Sequence, residues 1–525
     1  MRFDRDELER QRLRLQERLD GVKSGADRNR RGQFSTPPAL ARDVVGVAVD
    51  LFPRSGPIRF LDPAFGTGAF YSALLDVVGA RSVDRAEGFE IDDHYGVPTR
   101  SLWRETGLRL HLADFTTQAP AVNDDERFNL LVCNPPYVRH HHLPTAEKAR
   151  LREASRRASG VTLGGLAGLY CHFLALSHEW LSKDGISVWL VPSEFMDVNY
   201  GRALKEYLLS RVELLRVHRF DPQDVQFDDA LVSSAVLLFA KREPPPGHQV
   251  QFTFGGTLTQ PRVARLISAA TLATEAKWTR FPRAEARGPR ADPTLGDFFS
   301  IKRGIATGDN SFFVLRPEDV ERAKLPASCL TPILPSPRHL DVDEIEADES
   351  GNPRIANPAF LVECRLDEED VKRRLPHLWD YFEAGRARGV HERYLCRHRN
   401  PWYSQETRPP APFLCTYMGR GNGRTGSAFR FIRNHSRATA ANAYLLLYPR
   451  TPFDRLLRDA SMVRRVWAAL AAIRPGELLD EGRVYGGGLH KMEPREMANV
   501  AAGPVAEVLG RSHVCRPPKQ LAIFG

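Results

Sequence analysis

The chain has 525 residues, of which 42% are hydrophobic and 26% charged, the make-up of a globular protein with room for two or three domains. A net charge of +9 favours a polyanionic partner such as nucleic acid. Seven scattered cysteines without a CxxC pair point to reduced thiols in the cytoplasm and away from structural zinc, while no apolar run nears membrane-spanning length and the charged start Met1–Glu7 does not read as a secretory signal.

Residues 4–20 set Leu8, Leu13, Leu15 and Leu19 among charges, which predicts an amphipathic helix capping the next domain. With the polar, basic connector that follows, it makes an N-terminal helical extension over 1–31. From 32 to 242, apolar segments of strand length alternate with helical ones, the pattern of a parallel α/β sheet. Strands are expected at Ile58–Leu61, Ala86–Glu90, Leu130–Cys133, Ile186–Val191 and Val232–Phe239. A proline-rich stretch then breaks the pattern, and 243–250 reads as a linker. Residues 251–525 are less regular and rich in Arg, His, Pro and Gly, with no repeat or heptad; they form a second domain offering a large binding surface.

Chemistry concentrates at the expected strand ends. Phe60–Phe70 joins a strand to a helix through a turn in which Phe65 is followed by Gly66 and Gly68, residues that permit tight backbone geometry and close approach of a ligand. The third glycine of the dinucleotide fingerprint is missing, which disfavours NAD. Asp62 at the strand end is placed to face an ammonium group, Glu90 to grip ribose hydroxyls, and Asp114 to accept from an adenine amino group that Phe115 covers. A ligand with a ribose, an adenine and a positively charged portion satisfies all three acids, and S-adenosylmethionine is such a ligand. After the next strand comes Asn134-Pro135-Pro136-Tyr137. Two consecutive prolines fix two φ angles and remove two donors, making a stiff elbow with an amide before it and an aromatic ring after it.

On these residues the N-terminal half resembles the amino-group DNA methyltransferases, specifically N6-adenine enzymes whose cofactor motif precedes the catalytic one, the gamma arrangement. The likeness covers roughly residues 32–240 and extends more loosely beyond. It implies a Rossmann-like α/β sheet that uses S-adenosyl-L-methionine, with a separate mixed α/β C-terminal domain for target recognition. Gly32–Pro38 is similar to the segment that meets the cofactor's methionine end, which implicates Thr36. Asp62–Gly68 matches the cofactor loop, Glu90 the ribose acid, Asp114 and Phe115 the adenine contacts, and Asn134–Tyr137 the catalytic motif. Phe227 sits where the family supplies a second aromatic against the target base.

The implied chemistry is methyl transfer to adenine N6. The Asn134 side-chain oxygen and the Pro135 carbonyl accept the two N6 hydrogens, so the lone pair becomes available without metal, strong base or covalent intermediate. A base inside a duplex cannot reach such a pocket, so it must be flipped out and stacked on Tyr137 and Phe227. His140-His141-His142 reads as a DNA-backbone contact or polar loop, because adjacent histidines do not readily converge on one ion. Ile301–Phe313, Gly419–Arg424, Phe429–Arg437 and Tyr485–Lys491 combine cations, amides and glycines suited to phosphates and base edges. Family resemblance further implies a monomer that marks double-stranded host DNA against a separately encoded endonuclease. Two other readings stay open: a protein-glutamine N5-methyltransferase, which uses the same Asn-Pro-Pro-Tyr logic, and a non-catalytic DNA-binding specificity protein on a methylase fold.

Overall fold

Short apolar runs ending in an acid or amide build the central strands of the N-terminal unit. In the computed structural model, which describes residues 4–52, 56–221, 233–282, 293–420, 427–485 and 488–510 apart from the side chains of Ala26, Val484 and Tyr485, these runs are β1 (Ile58–Asp62), β2 (Val83–Glu90) and β4 (Phe128–Cys133). They join β3 (Leu108–Leu112), β5 (Leu181–Pro192), β6 (Glu213–Arg219), β7 (Ser234–Ala240), β8 (Gln249–Gly256) and β9 (Pro261–Ser268) in one nine-stranded sheet, ordered β3-β2-β1-β4-β5-β7-β6-β8-β9. Strands β3 through β5 run parallel, whereas β7 runs antiparallel to both β5 and β6, so the sheet is mixed rather than all-parallel as expected. Apolar cores cover both faces, which is why β7 is buried at all seven positions and reads as a continuous apolar run.

The helices that matter for the site are α1 (Arg5–Val22), α2 (Gly25–Arg31), α3 (Pro38–Asp50), α4 (Ala69–Val78), α5 (Asp93–Leu102), α6 (Thr145–Ser159) and α7 (Leu169–Leu176). α3 and α4 pack on one face of the sheet and α7 on the other. α1 packs on the catalytic unit as a cap, with Leu15 and Leu19 buried against Tyr95 of α5.

Contacts divide the chain into Met1–Arg287 with Tyr485–Gly487, and Gly288–Val484 with Gly488–Gly525. The expected linker at 243–250 is therefore displaced by about forty residues. Val250 and Phe252 of β8, with Leu272, Trp278 and Phe281 after β9, belong to the catalytic sheet's core. The proline-rich stretch is only the turn between two strands of one sheet.

The second unit is mixed α/β, with sheets of five, four and three strands. The five-stranded sheet packs Phe299, Phe413, Leu445 and Leu447 against Val466 and Leu470 of the helix Ala460–Ala471. Here the run Phe429–Arg437, expected to face a nucleic acid, is largely spent inside the fold. Phe429 and Phe431 are core residues, Arg430 pairs with Asp343 at 2.6 Å, and the buried Arg433 pairs with Glu344 at 2.8 Å.

Candidate active site

The strand order reverses direction between β1 and β4, and in open α/β sheets a crevice forms there at the C-terminal strand ends. The register aligns those ends: Asp62 lies beside Gly88 and Glu90 beside Leu112. A cavity of about 930 Å³ opens at this edge, and Gly66, Glu90, Asp114, Phe115, Asn134 and Pro136 all line it. Six other expected site residues, Thr36, Asp62, Phe65, Gly68, Pro135 and Tyr137, are not part of that lining. Phe227 lies outside the described residues.

The loop after β1 shows why its glycines are needed. Gly66 and Gly68 take φ of 57° and 88°, left-handed values open to glycine. A Cβ on Gly68 would collide with the Phe65 ring and the Trp103 indole nitrogen. Phe65 is thus the floor of the loop, buried beneath Gly68 and Gly88. Asp62 is likewise buried. Its carboxylate, 1% exposed, accepts from the Ala64 amide at 3.1 Å, and burial pushes its pKa up to about 7. The acid faces the turn's own backbone.

Glu90 accepts from the Gly66 amide at 3.0 Å and the Asp92 amide at 2.8 Å, so it ties the loop to the end of β2. Burial raises its pKa and those two amides oppose the rise. Asp114 caps the turn after β3, with one oxygen accepting from the Thr116 amide at 2.9 Å and the Thr116 hydroxyl at 2.8 Å. Arg150 of α6 holds the same turn, donating to the Thr116 carbonyl at 2.9 Å. Phe115 packs its ring among Phe89, Phe173 and Trp180 at centroid distances of 5.5, 5.4 and 5.2 Å.

At the catalytic elbow, Asn134 Nδ2 donates to the Phe34 carbonyl at 3.1 Å and to Thr36 Oγ1 at 3.2 Å. Its Oδ1 is buried and has no hydrogen-bond partner. Buried acceptors are rarely left so, because each orphan costs about 1–3 kcal/mol. The Tyr137 amide donates to the Gly32 carbonyl at 3.1 Å, and its hydroxyl donates to the Leu190 carbonyl at 3.1 Å. The ring is 8% exposed, set between Phe34 and Tyr170, and burial pushes the phenol's pKa well up.

Several wall residues escaped the sequence reading. Gln16 and Asp20 of α1, together with Gln33, Asp92 and Tyr95, line the cavity. One signal was available: Arg12 falls on the same helix face as Leu15 and Leu19, and an arginine in an apolar stripe marks a docked face. Arg12 is 1% exposed, paired with Glu9 at 2.7 Å and donating to Thr67 of the cofactor loop at 3.3 Å. His141 and His142 also line the cavity.

Comparison with known proteins agrees with this arrangement. Residues 100–226, which include the elbow, match the model of the Eco57I restriction-modification methylase family, and residues 284–516 match that of the type II methyltransferase M.Eco57I C-terminal domain. Type II methyltransferase M.XamI of Xanthomonas campestris pv. amaranthicola is 27% identical over 485 residues, 89% of this chain and 84% of the relative. Type II methyltransferase M.AccI of Acinetobacter calcoaceticus is 23% identical over 456 residues, 83% of this chain and 79% of the relative. These matches support a type II restriction-modification methylase. The methylase's C-terminal match begins within a few residues of the boundary at Arg287. Its fold is also similar to that of the type IIL restriction-modification enzyme MmeI, solved in complex with DNA, at a TM-score of 0.56, 11% identity, and coverage of 89% of this chain and 73% of that one.

Proposed function

We propose that the methylase transfers a methyl group from S-adenosyl-L-methionine to N6 of an adenine flipped out of double-stranded DNA at a specific site. The observation that carries this reading is the unpaired, buried Oδ1 of Asn134, a cavity-lining residue at the head of a diproline elbow. An acceptor with nothing to accept suits a substrate N–H. S-adenosyl-L-methionine, when bound, supplies an electrophilic sulfonium methyl.

The residues present fit that donor. Glu90 at the end of β2 is placed for ribose hydroxyls, retaining acceptor capacity beyond its two amide bonds. Asp114 offers its second oxygen, 3.9 Å from the Arg150 guanidinium, to an adenine amino group beside the Phe115 ring. Asn134 Oδ1 and the Pro135 carbonyl accept the two hydrogens of the target amino group and draw its nitrogen toward tetrahedral geometry. The Asn134 amide is held before charge develops, so its effect is electrostatic preorganisation. Extruding the base costs a few kcal/mol, and stacking returns roughly 1–3 kcal/mol per base. Tyr137 and Phe227 are the rings proposed for that stack. The second unit reads the sequence, and the methylase works as a cytoplasmic monomer, marking host DNA against a separately encoded endonuclease.

Asn134→Ala tests the reading. Methyl transfer should fall by at least about 10²-fold, while a calorimetric titration with the donor should give an affinity within about twofold of wild type. Turnover at the wild-type rate refutes the role of Asn134.

A further inference from the structure

An amide acts as acceptor or donor according to which way it is turned, so the proposed chemistry needs Asn134 held in one of two orientations. We infer that the Phe34 carbonyl and the Thr36 hydroxyl set that orientation, and that Thr36 is a positioning residue for the catalytic amide and not a contact for the donor's methionine end. This inference rests on the adenine-methylating reading above and assigns it a further residue.

Both hydrogens of Asn134 Nδ2 are engaged, one by the Phe34 carbonyl at 3.1 Å and one by Thr36 Oγ1 at 3.2 Å. A carbonyl only accepts, so turning the amide over would set oxygen against oxygen at Phe34. Thr36 adds the second acceptor. With both filled, Oδ1 is left buried and unpartnered in a residue that lines the cavity. Thr36 itself is absent from the cavity lining, whereas Gln33, Phe34 and Ser35 are part of it.

These two acceptors are themselves fixed by carboxylates from separate elements. Before Phe34, Gln33 Nε2 donates to Asp92 Oδ2 at 2.9 Å, and Lys23 bridges Gln33 Oε1 at 3.1 Å to the same carboxylate. After Phe34, Ser35 Oγ donates to Asp20 Oδ2 at 2.6 Å. Asp20 is in turn held by the Tyr95 hydroxyl at 2.8 Å and Gln16 Nε2 at 2.9 Å. The peptide that presents the Phe34 carbonyl is tethered on both sides, and the Gly32 carbonyl bonds the Tyr137 amide just beyond. α1, through Asp20, thereby reaches the amide without touching it.

The test compares Thr36→Val, which keeps the shape and removes the acceptor, with Thr36→Ser, which keeps the hydroxyl. Donor affinity is measured by titration, and single-turnover transfer at saturating S-adenosyl-L-methionine on DNA from a methylation-deficient host. The valine variant should transfer about tenfold more slowly, the effect of one hydrogen bond, with donor affinity within about twofold of wild type, and the serine variant should recover most of the rate. Wild-type transfer by Thr36→Val overturns the inference. So does weakened donor affinity with an unchanged saturated rate, which would return Thr36 to the cofactor. Should wild-type chain leave the DNA unlabelled, the reading beneath falls and takes this assignment with it.

Discussion

Acids at neighbouring strand ends differ in use because their surroundings differ. Asp62 is 1% exposed and burial pushes it up to about 7, from an ordinary 3.8. The folded chain therefore keeps a proton that the unfolded chain gives up near 3.8, so this group's contribution to stability falls as pH rises from about 4 to 7 and is flat above. Asp62→Asn removes that dependence and keeps an oxygen for the Ala64 amide. In urea unfolding at pH 4.5 and 7.5, the variant should gain on wild type at the higher pH; an unchanged difference contradicts the burial argument. The elbow was legible in the sequence because two prolines act on their own backbone, whatever surrounds them. The contacts of Asp62, Phe65 and Thr36 were not, since each depends on a partner that the fold supplies: the Ala64 amide, Gly88 packed from the next strand, and Asn134, 98 residues along the chain.

Segment 32–36 is what joins α1, α2 and the catalytic elbow. Gly32 ends α2 at φ 66°, and a Cβ there would collide with the Tyr137 backbone. Gly32→Ala should lower the melting temperature, because the left-handed conformation costs about 1 kcal/mol outside glycine. It should also slow methyl transfer by up to about 10²-fold by displacing the elbow on the order of 1 Å; wild-type rate and melting together would contradict that close approach. A second tie is Asp92, whose pKa burial raises but hydrogen bonds from Lys23 and Gln33 bring down to about 2. Its stabilising effect is present above the ordinary 3.8 and is lost as pH falls through about 2, clear of the range in which Asp62 titrates. Apolar strands such as β1, β4 and β5 could be found from pattern alone. The edge strand β9, which opens on proline and carries two arginines, could not, because an edge strand needs no apolar run.

Across the whole chain, composition and charge pointed to a basic protein of more than one domain, and the structure has two units. The boundary was misplaced because three prolines mark a turn as readily as a linker, and only the pairing of β8 with β6 distinguishes the two. Basic runs proved a poor guide in the second unit: Arg430 and Arg433 are committed to Asp343 and Glu344 within the fold. The central claim concerns one atom of one base. Purified chain is incubated with tritiated S-adenosyl-L-methionine and unmethylated double-stranded DNA, which is then digested to nucleosides and separated chromatographically. The account predicts that the label elutes as N6-methyl-2′-deoxyadenosine; label on deoxycytidine, or a labelled polypeptide beside unlabelled DNA, would contradict it.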